Sequence, residues 1–302
     1  MHISLASPQF GELREYVFSS GRAGEGASLR AANSTAAAAT NPYVELPLLY
    51  GLTLARALRE RRSDGRLARS ARGRPLAESG RGVRLVVDLA ADNGFYSQVA
   101  ELRARGLPLS AASLRSLPRL LTPRRAANGE LAKTGLGSSA TLVTSLVGAL
   151  LQAAGVVRLP TAGGGGALTP AQRADLELLH ALAQLCHCAA QGKVGSGFDA
   201  TFGSQRYCRF SPAALEPVLQ LPEGIPPPPT LLLAAVGAAA PSGHGSVDAP
   251  AAPLDHQLQA FQLPPGVEMM MPDVCCGAHT PSMVERVQAW RASHPAAVEL
   301  WP

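Results

Sequence analysis

Two lysines in glycine-rich segments are the residues of this sequence best suited to chemistry. The chain has 302 residues and 27 basic side chains, and among these only Lys133 and Lys193 are lysines, the rest being arginines. An ammonium group is a compact charge on a flexible stem, and glycine lets the backbone approach a bound anion closely. The pattern therefore indicates that each lysine neutralises an anion beside a loop.

The first segment has the form of an anion cradle. Residues 133–140 read KTGLGSSA and run into an apolar stretch with helical spacing, which predicts a helix capped by Ser138 or Ser139. Its free N–H groups and dipole would face a ligand, and a serine hydroxyl could join a Mg²⁺ shell. No Gly-Lys-Ser/Thr triplet follows the glycines, so this is not a Walker A loop. A serine-capped helix with a flexible entry is the competing interpretation.

The second segment places a cation and a carboxylate on one loop. A helix is predicted over residues 171–191, and Gly192 is a suitable stop for it. Lys193 follows at once, and Asp199 comes six residues later, after the small-residue run VGSGF. The two side chains can converge on one reacting group, whereas a solvated surface pair would contribute little energy. Because each segment contains one of the two lysines, we favour a shared site.

These residues resemble a known kinase superfamily. Residues 133–140 resemble the central phosphate-binding motif of the GHMP kinases, and HCAAQGKVGSGFD at residues 187–199 is similar to the eukaryotic phosphomevalonate kinase branch. The similarity is scattered over most of the chain and is specific at these two motifs. Further matching pieces are NPYVE at 41–45, NGFYS at 93–97, GSQRY at 203–207, RFSP at 209–212 and TPSMV at 280–284.

The resemblance implies a fold and a reaction. The fold would be α+β and GHMP kinase-like, with a ribosomal protein S5 domain 2-like N-terminal part and an incomplete C-terminal α+β domain. Residues 1–220 would form the first domain, including an arginine-rich insertion, residues 221–260 a low-complexity linker, and residues 261–302 the start of the second domain. The reaction would transfer the γ-phosphoryl group of ATP to (R)-5-phosphomevalonate, with Mg²⁺, giving 5-diphosphomevalonate and ADP on the mevalonate route to isoprenoids and sterols.

The implied roles fall on the two central motifs. Asp199 matches the position of the family's catalytic aspartate, and Lys193 would neutralise charge beside it. Ser196 and Gly197, with Lys193, would contact the substrate. The acceptor is a phosphate oxygen that is already anionic, so charge neutralisation matters more than a strong base. The nucleotide phosphates would be bound by Lys133, Gly135, Leu136, Gly137, Ser138, Ser139 and Ala140, with the metal at Ser138 or Ser139.

The chain departs from the family pattern in three places. The Pro-Gly-Lys-type motif that normally opens these kinases is not found, and the family's C-terminal domain extends beyond the counterpart of residue 302. Only three residues separate Asp199 from Gly203, where the family has a longer connection, and PDVCCGAH at residues 272–279 replaces a late glycine-rich loop. A catalytically impaired piece that keeps the phosphate loop is therefore the alternative expectation.

Composition limits the possible domain number, cellular location and metal content of the protein. With 46% hydrophobic residues the chain can build one large or two modest domains. No apolar run is long enough to span a bilayer and no signal-like start is seen, so we expect a soluble cytoplasmic protein, with the peroxisome as the alternative compartment. Five cysteines without a paired framework fit a reducing compartment. Neither Cys186-His187-Cys188 nor Cys275-Cys276 has the ligand spacing of a zinc site, and nothing indicates an oligomeric state.

The net charge of +5 is concentrated in one arginine-rich segment. Ten arginines lie between Arg56 and Arg84 without an interleaved aromatic residue, and we favour a solvated insertion over a nucleic-acid patch. The remaining pattern predicts helices at 42–61, 96–105 and 280–290 and strands at 83–89, 206–210 and 231–236. Loops are expected at 20–40, at 63–82 and over most of 222–259.

Overall fold

The structure is a computed structural model whose described residues form two compact units. One unit comprises residues 1–7, 12–89 and 139–268, and the other comprises residues 8–11, 90–138 and 269–302. The structure describes residues 1–21, 26–32, 40–64, 84–125, 129, 131–160, 168–192, 206–209, 215–222, 224–238, 257–260, 264–268 and 280–294.

The secondary structure mixes helices and strands, which confirms the α+β content expected from the sequence. The described strands are β1 (His2–Ser7), β2 (Glu12–Ser19), β3 (Ser28–Ala31), β4 (Arg84–Asp88), β5 (Arg206–Arg209) and β6 (Gln257–Ala260). The described α-helices are α1 (Pro42–Asp64), α2 (Val99–Ala104), α3 (Ala111–Ser116), α4 (Ser138–Ala153), α5 (Pro170–Gln191), α6 (Glu216–Leu219), α7 (Pro229–Ala235) and α8 (Thr280–Ser293). Within these described ranges, no helix combines the length and apolar character needed to cross a bilayer.

A four-stranded mixed sheet supports the first unit. Its spatial order is β3-β2-β1-β4, and β1 pairs antiparallel with β2 and parallel with β4. Ile3 lies opposite Tyr16 on one side and Leu85 on the other. Because side chains alternate along a strand, Ile3 and Leu5 project to the same face, and both are almost completely buried.

Helix α4 contributes to both apolar clusters of the first unit. Leu146 and Leu150 belong to the cluster that covers the sheet, together with Ile3, Leu5, Phe18 and the α1 residues Val44, Leu48 and Leu52. The other stripe of α4 belongs to a second cluster with Leu179, Leu182 and Cys186 of α5 and Leu232 of α7, and its members on α4 are Val143, Val147 and Leu151. The two sets are adjacent on the helix, so α4 buries one broad apolar face against both clusters, whereas Thr141, Ser145, Ala149 and Gln152 on its other side are exposed.

Helix α5 has the end signals that its sequence predicts. Thr169 forms a capping box with Gln172, Pro170 occupies the first turn, and Gly192 ends the helix in the left-handed conformation at φ 66°. Each of these three features satisfies or removes a backbone group that would otherwise be unpaired at the helix end. The predicted helix at 171–191 and its stop at Gly192 are confirmed.

Other sequence predictions are confirmed with shifted boundaries. The helices expected at 42–61 and 280–290 correspond to α1 and α8, and the strands expected at 83–89 and 206–210 correspond to β4 and β5. The helix expected at 96–105 is shorter, because a 3₁₀ turn over Asn93–Phe95 precedes α2. The expected domain boundaries near residues 220 and 260 stay predictions.

The strand predicted at 231–236 is wrong. Residues 229–235 form α7, in which Leu232 and Leu233 are buried. A short apolar run suits a strand or a buried helix equally, and the prolines at positions 228 and 229 favour a helix start. Parts of the expected loops are also ordered, since β3 lies within 20–40 and β6 overlaps the end of 222–259.

The first arginines of the basic segment belong to α1, which corrects the expectation of a wholly solvated insertion. Arg59 donates from Nη1 to the carbonyl oxygen of Ala154 at 3.2 Å, and Arg61 donates to that of Ala238 at 2.6 Å. Arg56 pairs with Glu60 one turn away at 2.6 Å. Ala154 directly follows α4, so the Arg59 guanidinium satisfies a carbonyl that the end of this helix leaves unpaired. Residues 65–83 lie outside the described part of the chain.

Two equally buried threonines should respond oppositely to replacement by valine. Thr144 and Thr53 are each 4% exposed; Thr53 donates to the carbonyl of Leu49 at 2.6 Å, whereas Thr144 Oγ1 has no hydrogen-bond partner among the described residues. Removing an unsatisfied hydroxyl without changing its shape should stabilise, so Thr144→Val should raise the free energy of unfolding by about 1 kcal/mol. Thr53→Val should lower it by about 1 kcal/mol. Urea titrations followed by circular dichroism measure both, and a loss of stability in Thr144→Val would contradict the assignment.

Candidate phosphate-binding site

The segment that carries Lys133 is fixed by its backbone. Lys133 forms an isolated antiparallel bridge with Tyr96. Thr134 donates its backbone N–H to the carbonyl of Phe95 at 3.1 Å and its hydroxyl to the carbonyl of Gly94 at 2.7 Å. The Lys133 side chain is exposed, and no salt bridge found between described residues includes it. A cation on a fixed backbone is therefore available to an anion.

The NGFYS motif at residues 93–97 supports the segment that carries Lys133. Asn93 donates from Nδ2 to the carbonyl of Pro118 at 2.7 Å and accepts at Oδ1 from the N–H of Leu121 at 2.8 Å. Asp92 accepts at Oδ1 from the N–H of Gly94 at 2.8 Å. These bonds fix the turn that pairs with Lys133 and Thr134, so the motif has a structural role that spacing alone did not indicate.

Two left-handed glycines turn the chain from this segment into α4. Gly135 has φ 81° and Gly137 has φ 71°. A Cβ built on Gly135 would meet no atom within 4 Å, so there is space for a side chain. Glycine is required here because of the left-handed backbone conformation. An L-residue in this conformation costs about 1–2 kcal/mol. Leu136, between the two, is 43% exposed, which leaves the backbone of the turn open to a ligand.

The start of α4 presents the groups expected of an anion site. The helix begins at Ser138, so both serines lie within its first turn and the predicted N-cap at Ser138 or Ser139 is wrong. Both are half-buried, and Ala140 is completely buried. The first N–H groups of a helix have no partner within it, and the helix dipole places partial positive charge there. An anion at the start of α4 would therefore meet the positive end of the helix dipole and N–H groups that have no partner within the helix.

A buried histidine contacts the first turn of α4. His187 of α5 is only 6% exposed, and its Nε2 lies 3.2 Å from Oγ of Ser139 and 3.3 Å from Nε2 of Gln191. The ring of Tyr43 lies against it at a centroid distance of 6.0 Å. Sequence reasoning did not find this contact. The one available signal was that His187 and Gln191 lie one turn apart and so share a helix face.

Burial keeps several neighbouring groups uncharged. Burial raises the pKa of the Tyr43 phenol, and it raises that of Tyr50 to about 12. Burial, assisted by nearby Cys188, raises the pKa of the Cys186 thiol. At neutral pH these groups are therefore protonated and add no negative charge to the surroundings of α5. Within the part of the chain that the structure describes, no three His, Cys, Asp or Glu residues cluster as metal ligands.

One of the two predicted motifs lies within the described residues. Lys133 and residues 135–140 form a continuous turn from the Tyr96 pairing into α4. Lys193, Ser196, Gly197 and Asp199 lie outside the described residues, which stop at Gly192 and resume at Arg206. The convergence of the two lysines on one site therefore stays a prediction, as does the effect of the short connection between Asp199 and Gly203.

Known proteins are similar to this sequence over nearly its whole length. No protein-family model and no solved structure matches it. The sequence is 32% identical to the peroxisomal phosphomevalonate kinase of Arabidopsis thaliana, over 99% of this chain and 55% of that protein. It is 35% identical to the phosphomevalonate kinase of Gibberella zeae, over 97% of this chain and 56% of that protein. The chain is a phosphomevalonate kinase homologue.

This homology extends well beyond the two central motifs. A third relative, the phosphomevalonate kinase of Aspergillus fumigatus, is 39% identical over 72% of this chain and 40% of its own length. The resemblance stated from the sequence is thereby confirmed. The chain spans about half the length of the first two phosphomevalonate kinases that it matches.

Loss of the Asn93 side chain should loosen the support of the Lys133 segment. Asn93→Ala removes two hydrogen bonds, to Pro118 and from Leu121, and should lower the free energy of unfolding by about 1–2 kcal/mol. Asn93→Asp keeps the acceptor for Leu121 and should lose less. Amide hydrogen exchange should show faster exchange at Leu121 in the alanine variant. Unchanged exchange there would mean that Asn93 does not fix this turn.

Proposed function

We propose that residues 133–140 bind the phosphates of ATP, and that the protein transfers the γ-phosphoryl group to (R)-5-phosphomevalonate, giving 5-diphosphomevalonate and ADP. The observation that carries the first part is the fixed, exposed Lys133 followed by two left-handed glycines and the N-terminus of α4. The homologues named phosphomevalonate kinase support the second part.

A GHMP kinase-like fold is part of the same proposal. The mixed four-stranded sheet covered by α1 and α4 supports it, and so does the homology. In this proposal the α4 start is the nucleotide-phosphate loop, and residues 261–302 begin the second domain of the family. The Arabidopsis relative is named as peroxisomal, which makes the peroxisome a candidate compartment beside the cytoplasm.

Phosphate binding follows from the polarity of the loop. Backbone N–H groups at the start of α4 donate to phosphate oxygens, and the open backbone of residues 135–137 allows a close approach. Lys133 adds a full positive charge on a stem long enough to follow the phosphates. Since the repulsion between two polyanions is the main barrier to their approach, these groups act where the reaction most needs them.

The residues at the start of α4 fit Mg²⁺. This cation prefers oxygen ligands in an octahedral shell and is usually bound by one or two protein groups together with phosphates and waters. The half-buried hydroxyls of Ser138 and Ser139 are oxygen donors of this kind. The bound ion would neutralise charge that develops between the β- and γ-phosphates.

The roles of the second motif are proposed from the resemblance. Asp199 is assigned as the catalytic aspartate, which orients the acceptor, and Lys193 as the cation that neutralises the acceptor phosphate. Ser196 and Gly197 are assigned to substrate contact. Gly192 ends α5, so Lys193 follows directly after the helix that carries His187. This position along the chain is the support that the described residues give to the assignment.

Nucleotide binding tests the phosphate loop directly. Gly135→Ala and Gly106→Ala are matched, since both glycines have positive φ, 81° and 66°, and open space at Cβ. Each should lose about 1 kcal/mol of stability. Only Gly135→Ala should weaken binding of ATP with Mg²⁺, by about tenfold or more, because phosphate contacts are charge-assisted. Isothermal titration calorimetry measures the affinity, and an equal effect of both variants would contradict the assignment.

Turnover tests the second motif. ADP release with phosphomevalonate should fall at least about a hundredfold in Asp199→Asn, while ATP affinity stays near that of the unmodified protein. Asp175→Asn is the control, because Asp175 of α5 accepts only a backbone N–H, from Arg158 at 2.8 Å among the described residues. ATP binding without ADP release in the unmodified chain would select the alternative, an impaired piece that retains the phosphate loop.

A further inference from the structure

A line of polar side chains runs along the buried side of α5. His180, Gln184, His187 and Gln191 are spaced by four, three and four residues, so they lie on one helix face. The first three are 6%, 1% and 6% exposed. Fully buried polar groups are costly unless they are hydrogen-bonded. Packing alone therefore does not explain why polar side chains line this face of α5.

His187 is the member of this line that contacts another functional element. Its Nε2 lies 3.2 Å from Oγ of Ser139, in the first turn of α4, and 3.3 Å from the amide nitrogen of Gln191. Ser139 and His187 are 48 residues apart in sequence, and both are within the first compact unit. The contact thus joins two helices and does not arise from local chain geometry.

The partners of Nε2 decide its protonation state. With its amide nitrogen facing the ring, Gln191 donates a hydrogen bond and Nε2 accepts it. A neutral imidazole with an unprotonated Nε2 carries its hydrogen on Nδ1. The Ser139 hydroxyl faces the same nitrogen, so its hydrogen points to the one lone pair of Nε2, which it shares with the Gln191 amide. Its oxygen lone pairs remain for a second partner.

We propose that His187 is a positioning residue that fixes the hydroxyl of Ser139 by accepting its hydrogen, so that Ser139 faces the phosphate loop as an oxygen acceptor. The proposal rests on the proposed function of residues 133–140. It makes the two serines of the loop unequal. Ser138 keeps a hydroxyl hydrogen to donate to a phosphate oxygen, whereas Ser139 offers lone pairs suited to a cation.

The hydrogen bond can be observed in the protein without ligand. In nitrogen-15 spectra of the imidazole rings, an unprotonated nitrogen resonates far from a protonated one, and accepting a hydrogen bond shifts it back towards the protonated position. Nε2 of His187 should appear as the unprotonated nitrogen, identified by its loss in His187→Gln. Ser139→Ala should shift this resonance away from the protonated position, and Ser138→Ala should leave it in place. A protonated Nε2, or no response to Ser139→Ala, would overturn the proposal.

Affinity for ADP with Mg²⁺ tests the consequence for the loop. His187→Leu removes the acceptor and should weaken binding about five- to tenfold, the value of one hydrogen bond. His187→Gln can return an acceptor oxygen to the position of Nε2 and should recover most of the loss. His180→Leu is the matched control, since it removes an equally buried histidine from the same helix face, and it should leave affinity unchanged.

A double-mutant cycle separates positioning from packing. If His187 acts through Ser139, the combination of His187→Leu with Ser139→Ala should weaken binding no more than the larger single effect. Additive losses, or equal losses in His187→Leu and His180→Leu, would mean that His187 only fills the core. If the unmodified chain fails to bind ADP with Mg²⁺, the proposed function fails, and the ligand-free spectra still decide whether His187 holds Ser139.

Discussion

The burial of α4 against two apolar clusters is the constraint on which the described site depends. Leu146 and Leu150 pack towards the sheet, and Val143 and Val147 pack towards α5. A helix packed against one cluster can rotate or slide to a new register, but each such movement of α4 would remove apolar surface from one of the two clusters. Truncating a single buried leucine typically costs about 2–5 kcal/mol. The core, therefore, sets where the first turn of α4 lies.

A different kind of interaction fixes the loop before α4. Hydrogen bonds from Asn93, Asp92 and Thr134 hold the turn that carries Lys133, and few large apolar side chains contribute there. Each bond is worth only about 1 kcal/mol. The loop is thus supported by many small contributions, while the helix behind it is supported by a large one. The loop and the helix therefore depend on different kinds of interaction.

The sequence predicted the parts of this arrangement that depend on local signals. Gly192 as a helix stop, the helix after Ser138 and the strand at β4 follow from spacing, capping and apolar patterns. The contact of Ser139 with His187 could not be predicted, because it depends on which faces of α4 and α5 meet in three dimensions. The strand expected at residues 231–236 failed for a related reason, since three consecutive leucines fit a buried helix as well as a strand.

The end of α5 joins two segments that the proposed function uses together. Ser139, His187 and Gln191 form one hydrogen-bonded chain, and Gly192 then directs the backbone into the segment that contains Lys193 and Asp199. In the proposed function, a ligand that tightens the first turn of α4 would also act on the last turn of α5 through these contacts. Thermodynamic reciprocity would then require that a second ligand bound after Gly192 and the ligand at α4 change each other's affinity by the same factor. The two anions of a phosphoryl transfer would then be sensed cooperatively, through the protein and not only through their mutual repulsion.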